Sequence, residues 1–238
     1  MAEIGNGYGS ECHLLRWMGR HREAFNRTIL EQIGEKHSSI QWLDFKFDPK
    51  AKLKDAELKG LEFLSPNDSL ESEWRDFWPT QGNPPNWDAV GRLTGIDGKE
   101  EHLLVEAKAR VGEIKSDCKA KEKSKEKIDA AFREVKRGLG IVCDNDWKEG
   151  YYQFANRLAT LYFLDAHEIA ARLLCIYFIG DKFPNSKCVC PKSQEEWIDA
   201  LKKQDDYLGL SAGHKLQDRI FNIFFPVDRE KLGTHPIL

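Results

Sequence analysis

No window of this chain holds the unbroken apolar run that a membrane span requires. Its start, MAEIGNGYGSECHLL, has neither the basic leader nor the apolar core of an export signal, so a cytosolic protein is expected. Cysteine is sparse. Six are scattered through 238 residues, without the dense spacing of a small secreted domain, and they read as reduced thiols. Cys188-Val189-Cys190-Pro191 is the one close pair, and no second pair lies near enough to complete a zinc set. Excess charge of one sign is missing too: 36 Lys and Arg stand against 39 Asp and Glu, for a net charge of -3. A whole-protein basic field is thereby excluded, and any nucleic-acid contact would have to be a local patch. The seven histidines lie far apart and form no H-E-x-x-H pair, so His13, His21 and His37 read as surface or helix-face residues. G-x-S-x-G and the phosphate-binding G-x-x-x-x-G-K-[ST] are both absent.

What is present belongs to a folded globular chain, with 41% hydrophobic residues, 11% aromatics and seven tryptophans. The length suffices to bury a sizeable core. Helical spacing of Leu14, Leu15, Trp17, Met18, Phe25, Ile29, Leu30 and Ile33 predicts one first helix from Ser10, its N-cap, to about Ile33. Ser39 to Phe47 has a strand pattern closed by Asp48-Pro49. A short helix is expected around residues 56 to 64, then a turn at Ser65-Pro66-Asn67-Asp68, while Trp74 to Trp78 carries no clear pattern. After the break at 82 to 86, Trp87 to Leu93 and His102 to Ala109 form a hairpin across the turn Gly95 to Gly98. Helices follow at about Lys125 to Gly138 and at Tyr151 to Asp165, then a buried strand Leu173 to Ile179, a helix Glu195 to Leu201 and a last strand Ile220 to Val227. No repeat or long linker interrupts this order, which predicts one α/β domain over residues 1 to 238 with a mixed central sheet flanked by helices. Its core covers about 10 to 180, and a helix and strand at 190 to 228 extend it.

The hairpin carries charge where core is expected. Residues two apart on a strand share a face, so Glu106 and Lys108 project together, opposite Asp88 on the neighbouring strand. Two carboxylates on adjacent strands are hard oxygen ligands suited to magnesium. A lysine beside them can position water and offset charge building on a phosphate. The alternative is a solvated cross-strand ladder with Asp88 at a strand entrance. Against it, Leu103, Leu104 and Val105 lead directly into Glu106, and Ala107 and Ala109 are small, so the charges emerge from an apolar strand.

Asp88 followed by Glu106-Ala107-Lys108 at a strand end resembles the PD-(D/E)XK motif of the restriction-endonuclease-like nuclease superfamily. The resemblance implies an αβββαβ core. It makes Asp88 and Glu106 ligands of magnesium or manganese, with the carbonyl of Ala107 as a further ligand and Lys108 as the water-positioning base. Some members add a glutamate on the first helix, for which Glu11 is the best match and Glu23 the second. Many carry a glutamine or basic residue on the helix after the motif, and Gln153 fits that place. Pro84-Pro85 lie upstream of Asp88, while Trp87 precedes it directly, a departure at a position that varies in the superfamily. On the helix 151 to 165, Gln153, Asn156, Arg157 and Thr160 share one polar stripe. A buried Arg157 needs an acidic or phosphate partner, and the carboxylates of the hairpin and the structural acids Asp165 and Glu149 compete for it. Lys119, Lys121 and Lys123 open a lysine-rich run that is read either as a solvated face or as a phosphate-tracking patch. The expected activity is metal-dependent phosphodiester hydrolysis, of DNA more than RNA. The rival is a non-catalytic member of the same fold, an immunity or defence component binding nucleic acid or a protein. No membrane partner is expected, and oligomerisation or a protein partner stays open.

Overall fold

The computed structural model describes residues 7–34, 36–45, 50, 57–80, 84–184 and 187–232. In chain order the elements are α1 (Ser10–Arg20), α2 (Arg22–Ile33), β1 (His37–Trp42), β2 (Leu58–Lys59), α3 (Asp68–Phe77), β3 (Asn86–Trp87), β4 (Ala89–Gly95) and β5 (Glu100–Lys108). They continue with α4 (Glu122–Leu139), α5 (Tyr152–Ala166), β6 (Ala171–Ile179), α6 (Gln194–Leu208) and β7 (Ile220–Pro226). β1, β4, β5, β6 and β7 form one mixed sheet in that spatial order. β1, β4 and β5 are antiparallel neighbours, while β6 and β7 run parallel to β5, reached through helical crossovers. The fold is α/β.

Side-chain alternation divides the core in two. Ala89, Leu93, Leu103, Val105, Ala107, Leu174 and Ile176 pack against Leu14, Trp17, Phe25 and Ile29 of α1 and α2. Val90, Leu104, Leu173, Cys175 and Tyr177 pack against Phe132 and Val135 of α4 and Leu158 and Leu161 of α5. Glu106 and Lys108 share the parity of Leu104, so they point toward α5 and away from α1. β6 is buried almost throughout, as a central parallel strand covered on both faces must be. The buried indoles are not left polar and alone. Trp17 donates to the Pro226 carbonyl at 3.1 Å, Trp147 to Leu208 at 3.2 Å and Trp197 to Phe178 at 2.9 Å.

Several sequence expectations are corrected. The first helix is two, broken at His21, whose backbone (φ -131, ψ 27) has left the helical region, and Gly9 rather than Ser10 holds the cap position. Hydrophobic spacing survives such a break because both pieces cover the same sheet face. The strand expected to reach Phe47 ends at Trp42, with residues 46–49 outside those described. The segment expected to be helical at 56 to 64 instead supplies β2, which pairs with β3, and then turns; residue 56 itself lies outside those described. Trp74 to Trp78 falls mostly in α3, whose Asn67 cap accepts from the Leu70 N–H at 3.2 Å. The strand at Trp87 to Leu93 is interrupted at Asp88. α4 begins at Glu122, so the latter part of the lysine run is helical, and α6 extends to Leu208.

α6 ends on Gly209 in the left-handed conformation at φ 74, and a Cβ there would lie 2.6 Å from the Cys143 Cβ and 3.2 Å from the Val142 carbonyl. Gly209→Ala therefore combines left-handed strain with overpacking against backbone. A loss of about 2–4 kcal/mol is expected in urea unfolding, and a loss below about 0.5 kcal/mol would contradict this packing.

Candidate active site

The charged cluster forms where β4 gives way to β3. Asp88 sits in the bend between them, its N–H donating to the Val105 carbonyl at 3.1 Å and its Oδ2 accepting from the Ala107 N–H at 2.6 Å. A residue's N–H and C=O leave a strand toward the same side, so the Ala107 carbonyl also faces the edge where β4 has ended. The antiparallel register, Ala89 opposite Val105, thus fixes Asp88 beside Ala107.

Glu106 is 6% exposed, and Arg157, 2% exposed, meets it from α5. Arg157 donates from Nε to Oε2 at 2.8 Å, and its Nη2 forms an ion pair with the same oxygen at 2.7 Å. Gln153, one helical turn earlier, donates from Nε2 to Oε1 at 2.8 Å. Lys108 makes a short contact with the same Oε1. These four donor contacts use the acceptor capacity of the carboxylate. Arg157 is held in turn by Asn156 Oδ1 at 2.7 Å and lies over the buried Trp87 ring, 4.9 Å from its centroid. The competing partner Asp165 pairs with Arg219 at 3.3 Å instead. Below the cluster is a cavity of about 20 Å³, lined by Glu106, Lys108, Gln153, Arg157, Tyr177 and Gln204. It has room for one water-sized sphere.

The two acids of the motif have opposite electrostatics. Burial alone would raise Glu106, but Arg157 and Lys108 outweigh it and hold the carboxyl below its usual range. Asp88 is pushed up to about 8, by burial first and then by the charges of Glu106 and Glu57, against the opposing pull of Lys108 and the Ala107 N–H. Glu57 is also raised, by burial and by Glu106, and its carboxyl hydrogen-bonds Asp88. Desolvation lowers Lys108, yet Glu106 and Asp88 carry it above its ordinary value. The neighbouring Cys175 thiol, buried and close to Glu106, is pushed up to about 12, which rules it out as a thiolate nucleophile near neutrality.

Asp88, Glu106, Ala107, Lys108, Gln153 and Arg157 therefore come together. Glu11 lies on the exposed side of α1, and its charge is felt by Glu57. Lys119, Lys121 and Lys123 are exposed at the start of α4 and touch none of these groups through a hydrogen bond or ion pair among the described residues. Glu57 was not foreseen. Its stretch looked helical, and only the β2–β3 pairing, with Asn86 donating to Glu57, brings it to Asp88. Among the described residues no three His, Cys, Asp or Glu side chains form a ready cation cage. The oxygen donors nevertheless suit a hard divalent cation, because the Asp88 and Glu57 carboxyls are held against each other by a hydrogen bond. Glu106 would have to exchange one of its present donors to join them. No family model, curated protein or solved structure matches the chain.

Asp88 is protonated in the folded chain well above its value in the unfolded chain, so its stabilisation is present at low pH and is lost as pH rises from about 4 to about 8. Glu106 contributes the reverse, stability present above its ordinary value and lost in acid. In chelator, urea unfolding should show stability falling by up to about 1 kcal/mol per pH unit between pH 5 and 8, with Asp88→Asn flattening the slope; equal slopes in the two proteins would refute the assignment. Arg157→Leu should cost about 3–5 kcal/mol by stranding the buried Glu106 carboxylate. Adding Glu106→Leu should recover much of that loss, and a double variant no more stable than the single one would show that the cost lies elsewhere.

Proposed function

We propose that the chain is a restriction-endonuclease-like nuclease that hydrolyses phosphodiester bonds of DNA with magnesium or manganese. The observation that carries this reading is the convergence of Asp88, Glu106 and Lys108 at one end of an antiparallel pair, tied by the Ala107 N–H to Asp88. The element order supports it: a helical start, three antiparallel strands β1, β4 and β5, a helical crossover, and β6 parallel to β5. Such an order is what the αβββαβ core of that superfamily implies.

Asp88, Glu106 and the Ala107 carbonyl would hold the metal, with Glu57 beside them. When bound, magnesium or manganese supplies Lewis-acid stabilisation of charge on the phosphate. Lys108 is held charged, so it positions the attacking water by donating a hydrogen bond and does not take its proton, which passes to solvent while the departing ester oxygen takes one up from solvent. The same ammonium opposes negative charge that builds on phosphoryl oxygens as the water oxygen bonds to phosphorus and the ester oxygen departs. Gln153 and Arg157 fix the Glu106 carboxylate, so that its orientation costs nothing at the moment of reaction.

One observation favours the second reading, a non-catalytic binder of nucleic acid or protein. The donors around Glu106 already satisfy it, as in a purely structural ion network. Incubation of the purified protein with single- and double-stranded DNA and RNA, in magnesium, manganese or chelator, separates the two. The nuclease reading expects metal-dependent cleavage that Lys108→Ala lowers by about two orders of magnitude or more, with binding retained. Absence of cleavage in every metal, or a Lys108→Ala protein of full rate, would overturn it.

A further inference from the structure

An open cleft of about 830 Å³ runs along the exposed side of α1, beyond the end of β5. At one end the Phe183 ring meets Tyr8 edge-to-face, with centroids 4.9 Å apart. The guanidinium of Arg110, two residues past Lys108, lies 3.8 Å from the centroid of the Phe183 ring. Its plane is fixed by Glu113, which accepts from Arg110 Nε at 2.8 Å. Tyr8 and Phe183 are only half-buried, so this group of π-surfaces is open to a ligand.

The far wall belongs to α1. Arg16 and Arg20, one helical turn apart, are exposed, and among the described residues neither has an acidic partner. Arg16 spends one donor on the Val227 carbonyl at 3.0 Å. The local field is cationic. His21 is held below its ordinary value by partial burial and then by Arg229, Arg16 and Arg20. At the other end of the helix, Glu11 borders the same cleft and its charge acts on Glu57. The cleft thus runs along about 14 Å of helix from Glu11, whose charge reaches Glu57, to Arg20, with Arg110 two residues past Lys108 on its wall.

We infer that this cleft holds a single nucleic-acid strand flanking the reacting phosphate, with bases stacked on Tyr8 and Phe183 and the backbone following Arg16 and Arg20. The inference rests on the nuclease reading of the Glu106 cluster. A paired base has its faces covered by its neighbours, so exposed rings and a fixed guanidinium plane engage a base only when it is unstacked. Phosphates recruit the two arginines without regard to sequence. Glu11 and Glu113 on the same walls disfavour the second backbone of a duplex. DNA and RNA strands share the chemistry involved, and the 2′-hydroxyl distinguishes them only by experiment.

The test is fluorescence anisotropy with short labelled oligonucleotides in chelator, where binding is read without cleavage. Single-stranded DNA, single-stranded RNA and duplex DNA are compared. Wild-type protein should bind a single strand at least about tenfold tighter than duplex. Tyr8→Ala, and Arg16→Glu with Arg20→Glu, should each weaken single-strand binding by about five- to a hundredfold. Circular dichroism of each variant confirms folding, and Arg20→Glu alone, at an exposed position, serves should Tyr8→Ala unfold. Unchanged affinity in these variants, or duplex bound as tightly as a single strand, overturns the inference even where metal-dependent cleavage is found. Loss of binding in the cleft variants upholds it, and wild-type protein that binds in this way without cleaving in any metal sinks the nuclease reading alone.

Discussion

A carboxylate removed from water must be met by donors, and the arrangement of this protein around Glu106 answers that demand. Isolated, its burial would cost several kcal/mol. The donors come from its own strand through Lys108 and from α5 through Gln153 and Arg157. α5 can supply both only if it crosses the sheet at a fixed height and rotation, since its polar stripe is narrow and flanked by Ala155, Leu158 and Ala159. Trp87 then closes over Arg157, and the β2–β3 pair holds Trp87 by its indole, which donates to the Gly60 carbonyl at 3.0 Å. The chain of dependence runs from one charge to a helix, to an aromatic lid, to a small accessory hairpin.

Environment gives the two acids of the motif different characters. Glu106 is neutralised by fixed cations and acts as an anchor. Asp88, crowded by Glu57 and Glu106, keeps a proton that an ordinary aspartate would have lost. Carboxyl groups driven apart in this way are characteristic of sites built for chemistry more than for stability, where a like-charge pair is otherwise a liability. The α1 cleft adds a second contrast at the same end of the sheet: buried, saturated charge on one side of β5, and on the other exposed arginines that have no acidic partner among the described residues, beside half-buried rings.

The strand pattern of the hairpin was legible because alternation is a local property. Leu104, Glu106 and Lys108 share a face in any register, and the hydrophobic spacing of α5 placed Gln153 and Arg157 on one stripe before any fold was known. The break at His21 was not legible, since two helices covering one sheet face keep the same apolar spacing as a single helix. Nor was the position of Glu57, because a two-residue strand has too little pattern to read and its partner lies 27 to 29 residues away at Asn86 and Trp87. The cleft along α1 was equally hidden. Tyr8, Arg110 and Phe183 are remote in sequence and meet only where the ends of β5 and β6 adjoin the start of α1.

The segment before α4 and the segment before α5 are stitched together. Ser116 donates to the Gly150 carbonyl at 2.8 Å, Cys118 to Lys148 at 2.7 Å and Tyr152 to Ser116 at 3.1 Å, while the Ser116 hydroxyl accepts from the Gln153 N–H at 2.8 Å. The chain between, including the lysine run, is an excursion that leaves and returns at one point, with α4 packed on the core through Phe132 and Val135. Such a closed base insulates its surroundings: lengthening or exchanging the outer turns of the excursion changes little in the entropy of closing it and does not move the helix start that carries Gln153. The exposed lysine-bearing turn before α4 can therefore vary while the carboxylate network a few residues away keeps its geometry.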